Sequence, residues 1–320
     1  MDRRQARTRL LIVAALPLLL AAASDSPDLP IKEARWLAPG QVFDGLTRQP
    51  AECFAPPKFP SYRASAPIGR AAFRAPLLLG GQAARVGLSC ASCHRNGRGN
   101  AEFAFPSLSG HPGTADVTSS LMSKKRGDGA FNPKAIPDLA GAASERTIAR
   151  DPGRLDLWTF IHGLIVDEFD GHEPPPEVLG GLVDYVRALS PAACRGPASV
   201  AIRLDGNLAD VDAAMQSAGQ SWRTGYPATA RFLVGAARST LGSIDERFQM
   251  PGLERGRAQL HAADAQLRAI QDAISSRSAG TRFREWQRDW PRRKIALRKQ
   301  ERQSLFNPVV LRRRLAEVGP

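Results

Sequence analysis

The amino-acid sequence predicts a mainly α protein, on the strength of three observations. Apolar side chains recur at helical spacing in two segments near the middle of the chain, 155–169 and 177–189. A later stretch, 252–303, is rich in Ala, Arg, Gln and Glu, which are strong helix formers. The segment 80–150 is punctuated by Gly, Pro, Ser and Asn, which predicts long loops. With 320 residues, the chain has room for one or two domains with a buried core.

The first 23 residues have the pattern of a secretory signal peptide. Four arginines lie within a short basic segment, which is followed by a 14-residue apolar stretch, 10–23. That stretch is shorter than a membrane-spanning helix, and its three final alanines supply the small residues of a cleavage site. We therefore expect an exported, periplasmic protein from which 1–23 is removed. An uncleaved N-terminal anchor is the alternative, and it leaves the folded part on the same side of the membrane.

The next part of the chain is expected to be irregular before the first helices form. Residues 24–64 are rich in Pro, Asp and Ser and predict an extended lead-in. A short helix is expected over 69–79, with Phe73 directed inward. The helices at 155–169 and 177–189 follow the long loops, and three consecutive prolines separate them.

Beyond residue 200 the sequence changes character. Helical spacing of apolar side chains recurs over 207–222, 228–241 and 253–274. We therefore expect a second, all-α region from 200 to 320, in the form of a helical hairpin or bundle.

The end of this helical region is strongly basic. Residues 281–320 hold twelve Lys or Arg against four acidic residues, in a chain whose net charge is +13. Such a segment suits an anionic membrane surface or an acidic redox partner protein, and a solvated helix face is the alternative. Export argues against nucleic acid as the partner. Trp286 and Trp290, four residues apart, are expected to pack on another helix.

The most specific motif is Cys90-Ala91-Ser92-Cys93-His94. Cys-x-x-Cys-His is the attachment signature of a c-type haem. Two thiols at this spacing reach the two vinyl groups of one porphyrin, and the following imidazole becomes the proximal iron ligand. The sequence therefore predicts one covalent haem c, bound through Cys90, Cys93 and His94. A redox Cys-x-x-Cys that happens to precede a histidine is the alternative.

Two further cysteines, Cys53 and Cys194, flank the haem-attachment motif. In an oxidising compartment they are disulfide candidates. A bond between them would close a long loop and stabilise the fold by a few kcal/mol. Two unpaired thiols are the alternative.

Three arginines are candidates for neutralising the haem propionates, because buried carboxylates need cationic partners. They are Arg95, Arg98 and Arg126.

The haem-attachment segment resembles the entry into one haem domain of the bacterial di-haem cytochrome c peroxidases. The resemblance rests on Gly69, Phe73, the run 77–81 (Leu-Leu-Leu-Gly-Gly) and the run 88–94 (Leu-Ser-Cys-Ala-Ser-Cys-His). It implies a cytochrome c-like haem domain with long loops over 65–196, followed by the helical basic region. Those peroxidases need two haems, whereas this chain has a single Cys-x-x-Cys-His.

Two segments resemble stretches that lie against the haem in known cytochromes. The run 136–139 (Ile-Pro-Asp-Leu) resembles the Pro-x-Leu segment that packs on the haem in this superfamily. Alternatively, the run 106–110 (Pro-Ser-Leu-Ser-Gly) resembles the Pro-x-Leu-x-Gly of class I cytochromes. In that case the Pro106 carbonyl would accept the Nδ1 proton of His94, which fixes the ring and tunes its basicity.

The sixth iron ligand is open among several side chains. His111, 17 residues after His94, resembles the distal histidine of the di-haem peroxidases. His172 is the rival, because it precedes the final helix of the haem segment, where class I cytochromes place their ligand methionine. Met122 and His162 are further candidates, and an open haem face is the remaining alternative.

The sequence leaves three functions open. The first is a periplasmic electron carrier with one low-spin haem, which is the prediction. The second is a peroxidase-like enzyme, which needs an open haem face and a second haem from a partner. The third is a haem-bearing sensor or subunit whose helical region binds a partner protein.

Overall fold

The computed structural model describes residues 29–140, 156–194, 196, 198–276 and 278–318. Within these ranges the chain is mainly helical, as the sequence predicts. The predicted signal peptide, 1–23, lies outside the described residues. Across the part of the chain that is described, no helix combines the length and the apolar character needed to cross a membrane.

The described helices before residue 190 are short and joined by long loops. They are α1 (Val42–Thr47), α2 (Pro60–Phe73), α3 (Gly81–Val86), α4 (Cys90–Cys93), α5 (Leu157–Gly163) and α6 (Pro176–Ala188). Helix α5 continues as one turn of π-helix, Leu164–Glu168. Turns of 3-10 helix cover Lys32–Trp36, Pro76–Leu78, Arg95–Gly97 and Pro191–Ala193. The predicted helices at 155–169 and 177–189 are thus confirmed where they are described.

Within the described ranges, four short strands form two antiparallel pairs. They are β1 (Arg48–Pro50) with β4 (Ser199–Ala201), and β2 (Thr114–Ala115) with β3 (Lys134–Ala135).

The second half of the chain is a bundle of longer helices. They are α7 (Leu204–Arg223), α8 (Pro227–Arg247), α9 (Glu254–Ala273), α10 (Ala279–Gln300) and α11 (Pro308–Val318). Helices α7 to α10 form a four-helix bundle, because each packs on the next and α10 returns to α7. The bundle confirms the all-α character predicted for this region.

The two tryptophans of α10 lie in the bundle core, as predicted. Trp286 and Trp290 are each 3% exposed, and their rings stack with centroids 4.7 Å apart. The indole nitrogen of Trp290 donates a hydrogen bond of 2.6 Å to Asp212 of α7. Burial of both rings and satisfaction of this N–H fix α10 against α7.

Helices α2 and α6 cross at a pair of glycines. A Cβ at Gly69 would clash with the carbonyl oxygen of Gly181, and a Cβ at Gly181 would lie 2.7 Å from the Gly69 nitrogen. The absence of side chains lets the two backbones touch. One turn further on, Phe73 packs against Tyr185, with ring centroids 5.2 Å apart. Helix α2 also contacts α7 and α8, so it joins the first half of the chain to the bundle.

The position of α2 differs from the prediction of a helix over 69–79. The helix begins at Pro60, because proline at the first helical position is well suited to start a helix. It ends at Phe73, shortly before Pro76, which opens a separate 3-10 turn. The inward direction of Phe73 is confirmed, since this side chain is 3% exposed.

The prediction of an extended lead-in over 24–64 is wrong where the described residues form secondary structure. Residues from 29 onward form the first 3-10 turn, α1 and β1, and the side chains of Ile31, Trp36, Leu37 and Leu46 are buried. Ile31 and Leu46 pack with Leu305 and Leu311 from the end of the chain. The Pro and Ser content is typical of a loop and therefore predicts an extended segment. The burial of Ile31 and Leu46 depends instead on Leu305 and Leu311, which lie more than 200 positions away in the sequence.

The predicted disulfide between Cys53 and Cys194 is confirmed by the structure. The two Cα atoms lie 4.8 Å apart and the sulfurs are bonded. The bond lies beside the β1–β4 pair, so the covalent and hydrogen-bonded links together tie the chain before α2 to the chain after α6.

Candidate functional site

The two cysteines of the Cys-x-x-Cys-His motif lie on α4, which is a single helical turn. Its first backbone groups are capped reciprocally by Ser89 and Ser92. The turn directs both side chains to the same side, because residues three apart share a helix face. Cys90 and Cys93 are partly buried and are not joined to each other. The site therefore presents two unlinked thiols, side by side.

His94 follows directly and is oriented by a hydrogen bond to a distant loop. Its Nδ1 lies 3.0 Å from the carbonyl oxygen of Pro137. The prediction that Pro106 accepts this hydrogen bond is therefore wrong, because Pro106 is exposed and the carbonyl of Pro137 takes its place. The loop is held in place by the amide of Leu139, which donates to the carbonyl of Gly97 at 3.0 Å.

The hydrogen bond determines which nitrogen of His94 is free. A carbonyl oxygen can only accept, so Nδ1 carries the proton and Nε2 keeps its lone pair. Burial lowers the pKa of His94 to about 4, although the contacts with Pro137 and Asp138 act in the opposite direction. The imidazole is therefore neutral at pH 7 and able to bind a metal through Nε2.

Burial raises the pKa of the two thiols, whereas it lowers the pKa of His94. It raises the pKa of Cys90 to about 12, and burial together with the neighbouring Cys90 does the same for Cys93. Both thiols are protonated at neutral pH in the chain as described.

The motif lies where two apolar clusters meet. Cys90 borders a cluster that includes Phe73, Leu157, Ile165 and Leu179. Cys93 borders a second cluster, whose buried members are Trp36, Leu79, Ala83, Leu88, Phe103, Leu108, Ala115 and Met122. The ring of His94 lies against that of Phe73, with centroids 6.5 Å apart. A flat apolar macrocycle attached to both sulfurs would contact both clusters, so these residues fit a haem.

The predicted sixth-ligand histidines are both exposed. His111 lies on the surface, and its Nδ1 is 2.9 Å from the carbonyl oxygen of Pro112. His172 is exposed as well. His162 is partly buried, and its Nε2 lies 2.7 Å from a carboxylate oxygen of Glu173.

Met122 is the candidate that lies in the same cluster as Cys93. Its side chain is 1% exposed. The turn that carries Met122 is held in place by the next residue, Ser123, whose hydroxyl donates a hydrogen bond of 2.8 Å to the carbonyl of Asp167. Arg126 of the same turn pairs with Glu168. The turn therefore holds a thioether under the surface, close to the motif.

The three arginines proposed for the haem propionates already have carboxylate partners. Arg95 pairs with Glu33 and Glu102, and Arg126 pairs with Glu168 as above. Arg98 pairs with Asp138 at 2.6 Å, and its Nη1 lies 2.9 Å from the Cys53 sulfur.

A polar network that sequence reasoning missed joins the motif to the helical bundle. Asn96, two residues after His94, accepts a hydrogen bond of 2.6 Å from Arg74. Arg74 and Arg70 both bind Glu52, and the Tyr185 hydroxyl donates to Glu52 at 2.7 Å. Arg70 also pairs with a carboxylate of α7. The one signal in the sequence is a lone Glu beside Cys53, because the following segment, 53–101, contains no other acidic residue.

Comparison of the chain with protein-family models, with curated proteins and with solved structures returned no match. The functional interpretation therefore depends on the motif and on the contacts around it.

Proposed function

We propose that the chain is an exported, mono-haem c-type cytochrome that acts in electron transfer. Cys90 and Cys93 would form the thioether bonds, and His94 would be the proximal iron ligand. The observation that carries the proposal is the hydrogen bond between His94 Nδ1 and Pro137, directly after two unlinked thiols on one helical turn. A histidine that ligates iron commonly donates its other ring nitrogen to a carbonyl in this way.

The crossing of α2 and α6 supports the resemblance to a haem domain of the di-haem peroxidases. Gly69 of the shared motif lies at the backbone contact with Gly181, and Phe73 of the same motif lies against His94. The motif residues thus have a joint physical role. Gly69 brings the two helices together, and Phe73 connects that crossing to the proximal histidine.

A bound haem would supply a reversible one-electron couple. The side chains of the protein would attach the haem, orient its histidine ligand and exclude water. The two cysteines would fix the macrocycle, and Pro137 would hold the imidazole in one orientation. The buried side chains of both clusters would exclude water from the iron, which limits the solvent reorganisation that accompanies electron transfer. Such a site needs no general acid or base.

We propose Met122 as the sixth ligand, in preference to the two histidines favoured by the sequence. Met122 is buried in the apolar cluster that Cys93 borders, which supports this choice, whereas His111 and His172 are exposed. Met122 and His94 would together hold the iron, and a methionine–histidine ligand pair supplies a closed, low-spin centre that suits an electron carrier.

Substitution of Met122 is expected to change the visible spectrum. Met122→Leu keeps volume and apolarity, so it costs less than about 1.5 kcal/mol in stability. It removes the sulfur, so we expect loss of the six-coordinate low-spin spectrum and a gain of carbon monoxide binding by the reduced protein. His111→Ala and His172→Ala are the matched controls, and both should retain the wild-type spectrum. A changed spectrum in either control together with an unchanged one in Met122→Leu would overturn the ligand assignment.

Wild-type spectra test the function directly. We expect a low-spin spectrum in both oxidation states that carbon monoxide and hydrogen peroxide leave unchanged. Turnover of peroxide with an electron donor would instead favour the peroxidase-like alternative. A spectrum that responds to a small ligand without turnover would favour the sensor alternative.

The basic end of the chain supports a negatively charged partner. Helix α10 has its tryptophans on the buried face, while Arg292, Lys299 and the neighbouring Arg302 are exposed. We propose that an acidic redox partner or an anionic membrane surface meets this side of the bundle. The disulfide supports export, because such bonds persist in oxidising compartments.

A further inference from the structure

A positively charged side chain lies against the disulfide. Arg98 Nη1 is 2.9 Å from the Cys53 sulfur and 3.5 Å from the Cys194 sulfur. A guanidinium stays protonated at any physiological pH, whereas an intact disulfide is neutral and needs no counter-charge. The partner that suits this cation is the thiolate that forms when the bond is broken. Asp138 binds the Nε of Arg98 and leaves the Nη1 directed at the sulfurs.

The two sulfurs differ in access. Cys53 is fully buried. Cys194 is partly exposed and follows the Pro191–Ala193 turn, whose first two residues are exposed. An incoming thiolate therefore reaches Cys194 first, and Cys53 becomes the leaving group. A guanidinium next to the departing sulfur stabilises the negative charge that develops on it, so the Cys53 thiolate leaves faster.

We propose that the Cys53–Cys194 disulfide is a reducible redox site, with Cys194 as the attacked sulfur and Arg98 as the group that stabilises the departing Cys53 thiolate. The co-reactant is a dithiol, such as an exported dithiol protein. Its first thiolate bonds to the Cys194 sulfur, and the electron pair of the broken bond goes to Cys53. Its second thiolate then displaces Cys194, so the reductant leaves as a disulfide. The two protons lost by the dithiol end on Cys53 and Cys194.

The same arginine connects this site to the haem-attachment motif. Arg98 pairs with Asp138, and the preceding residue, Pro137, accepts the hydrogen bond from His94. Reduction draws Arg98 toward the new thiolate and weakens its hold on Asp138. The state of the disulfide would thereby change the position of the Pro137 carbonyl. This second step rests on the proposed function, whereas the reduction itself does not.

The reduction is tested with dithiothreitol on the folded, full-length exported protein. Free thiols are alkylated at timed intervals, and the peptides that carry Cys53 and Cys194 are quantified by mass spectrometry. Because Arg98→Gln removes the charge, we expect reduction of the disulfide to slow roughly ten-fold. Arg98→Lys keeps a charge and should retain most of the rate. Arg255→Gln, an exposed substitution of the same type on α9, should react as the wild type does.

Two results would overturn the proposal. One is a wild-type disulfide that dithiothreitol reduces only after the protein is unfolded. The other is an equal rate of reduction in wild type and Arg98→Gln, both folded by circular dichroism. Repeating the assay on the Cys90→Ser/Cys93→Ser double variant separates disulfide reduction from haem attachment. In that background, Arg98→Gln should still slow the reduction. In the haem-loaded protein, a midpoint potential that is the same before and after disulfide reduction would overturn the link to His94.

Discussion

Replacing Gly69 with valine is expected to prevent the native packing of α2 on α6. Any Cβ at this position collides with the backbone of Gly181, which cannot move aside as a flexible side chain can. The helices would have to separate and lose the buried contact between Phe73 and Tyr185. We expect a loss of more than about 4 kcal/mol in the free energy of unfolding, which is at the severe end for single substitutions. Urea unfolding monitored by circular dichroism measures it.

Gly242→Ala is the matched control for this experiment. Gly242 is an exposed residue inside α8, and a Cβ there meets nothing within 4 Å. Alanine in an exposed helix interior is more favourable than glycine by about 1 kcal/mol, so this variant should be slightly more stable than wild type. If Gly69→Val unfolds at the wild-type urea concentration, the described helix crossing is wrong.

Replacing Glu52 with alanine is expected to have the second large effect. The Glu52 side chain is only 17% exposed and binds Arg70, Arg74 and Tyr185. Without it, the equally buried Arg74 loses its nearest counter-charge, and one of its nitrogens already has no partner. Removing one partner of a buried ion pair typically lowers the free energy of unfolding by about 3–5 kcal/mol. We therefore expect Glu52→Ala to lower the free energy of unfolding by about 3 kcal/mol or more, as measured by urea unfolding at pH 7.

The same carboxylate predicts a dependence of stability on pH. Burial of Glu52 opposes ionisation, but the charges of Arg74 and Arg70 and the hydroxyl of Tyr185 outweigh it and lower the pKa from 4.5 to about 2. A lowered folded-state pKa stabilises the protein above pH 4.5, and this contribution is lost as the pH falls toward 2. Its size is about 3 kcal/mol. Glu52→Gln should flatten the decline in stability between pH 5 and pH 2, and an unchanged decline would contradict the assignment.

The helices could be predicted from the sequence because local periodicity encodes them. The regular spacing of apolar residues in α5 to α9 predicts their existence, and their ends differ from prediction by a few residues. The Cys-x-x-Cys-His motif is equally local, since five adjacent residues contain both thiols and the imidazole. The disulfide could be predicted as a pair because the sequence leads one to expect an oxidising compartment, where two remaining cysteines are disulfide candidates.

What the sequence could not reveal depends on contacts between distant residues. The sequence favours His111 and His172 as ligands by their positions along the chain relative to His94 and the final helix, but the fold decides that both side chains are exposed. Met122 lay among Ser and Lys with no pattern to mark it as buried. The lead-in over 24–64 has a loop-like composition, and packing with Leu305 and Leu311 from the other end of the chain buries Ile31, Leu37 and Leu46. The contact of Arg98 with the disulfide joins residues 45 and 96 positions apart.

The most direct test of the account is the intact mass of the exported protein after unfolding in acid. The protein is produced in a periplasm that contains a cytochrome c maturation system, and it is compared with the Cys90→Ala/Cys93→Ala double variant. We predict that the wild type retains the mass of one haem under conditions that release non-covalent ligands, and that the double variant retains none. A wild-type mass equal to that of the bare chain, with Cys90 and Cys93 both open to alkylation, would contradict the central claim.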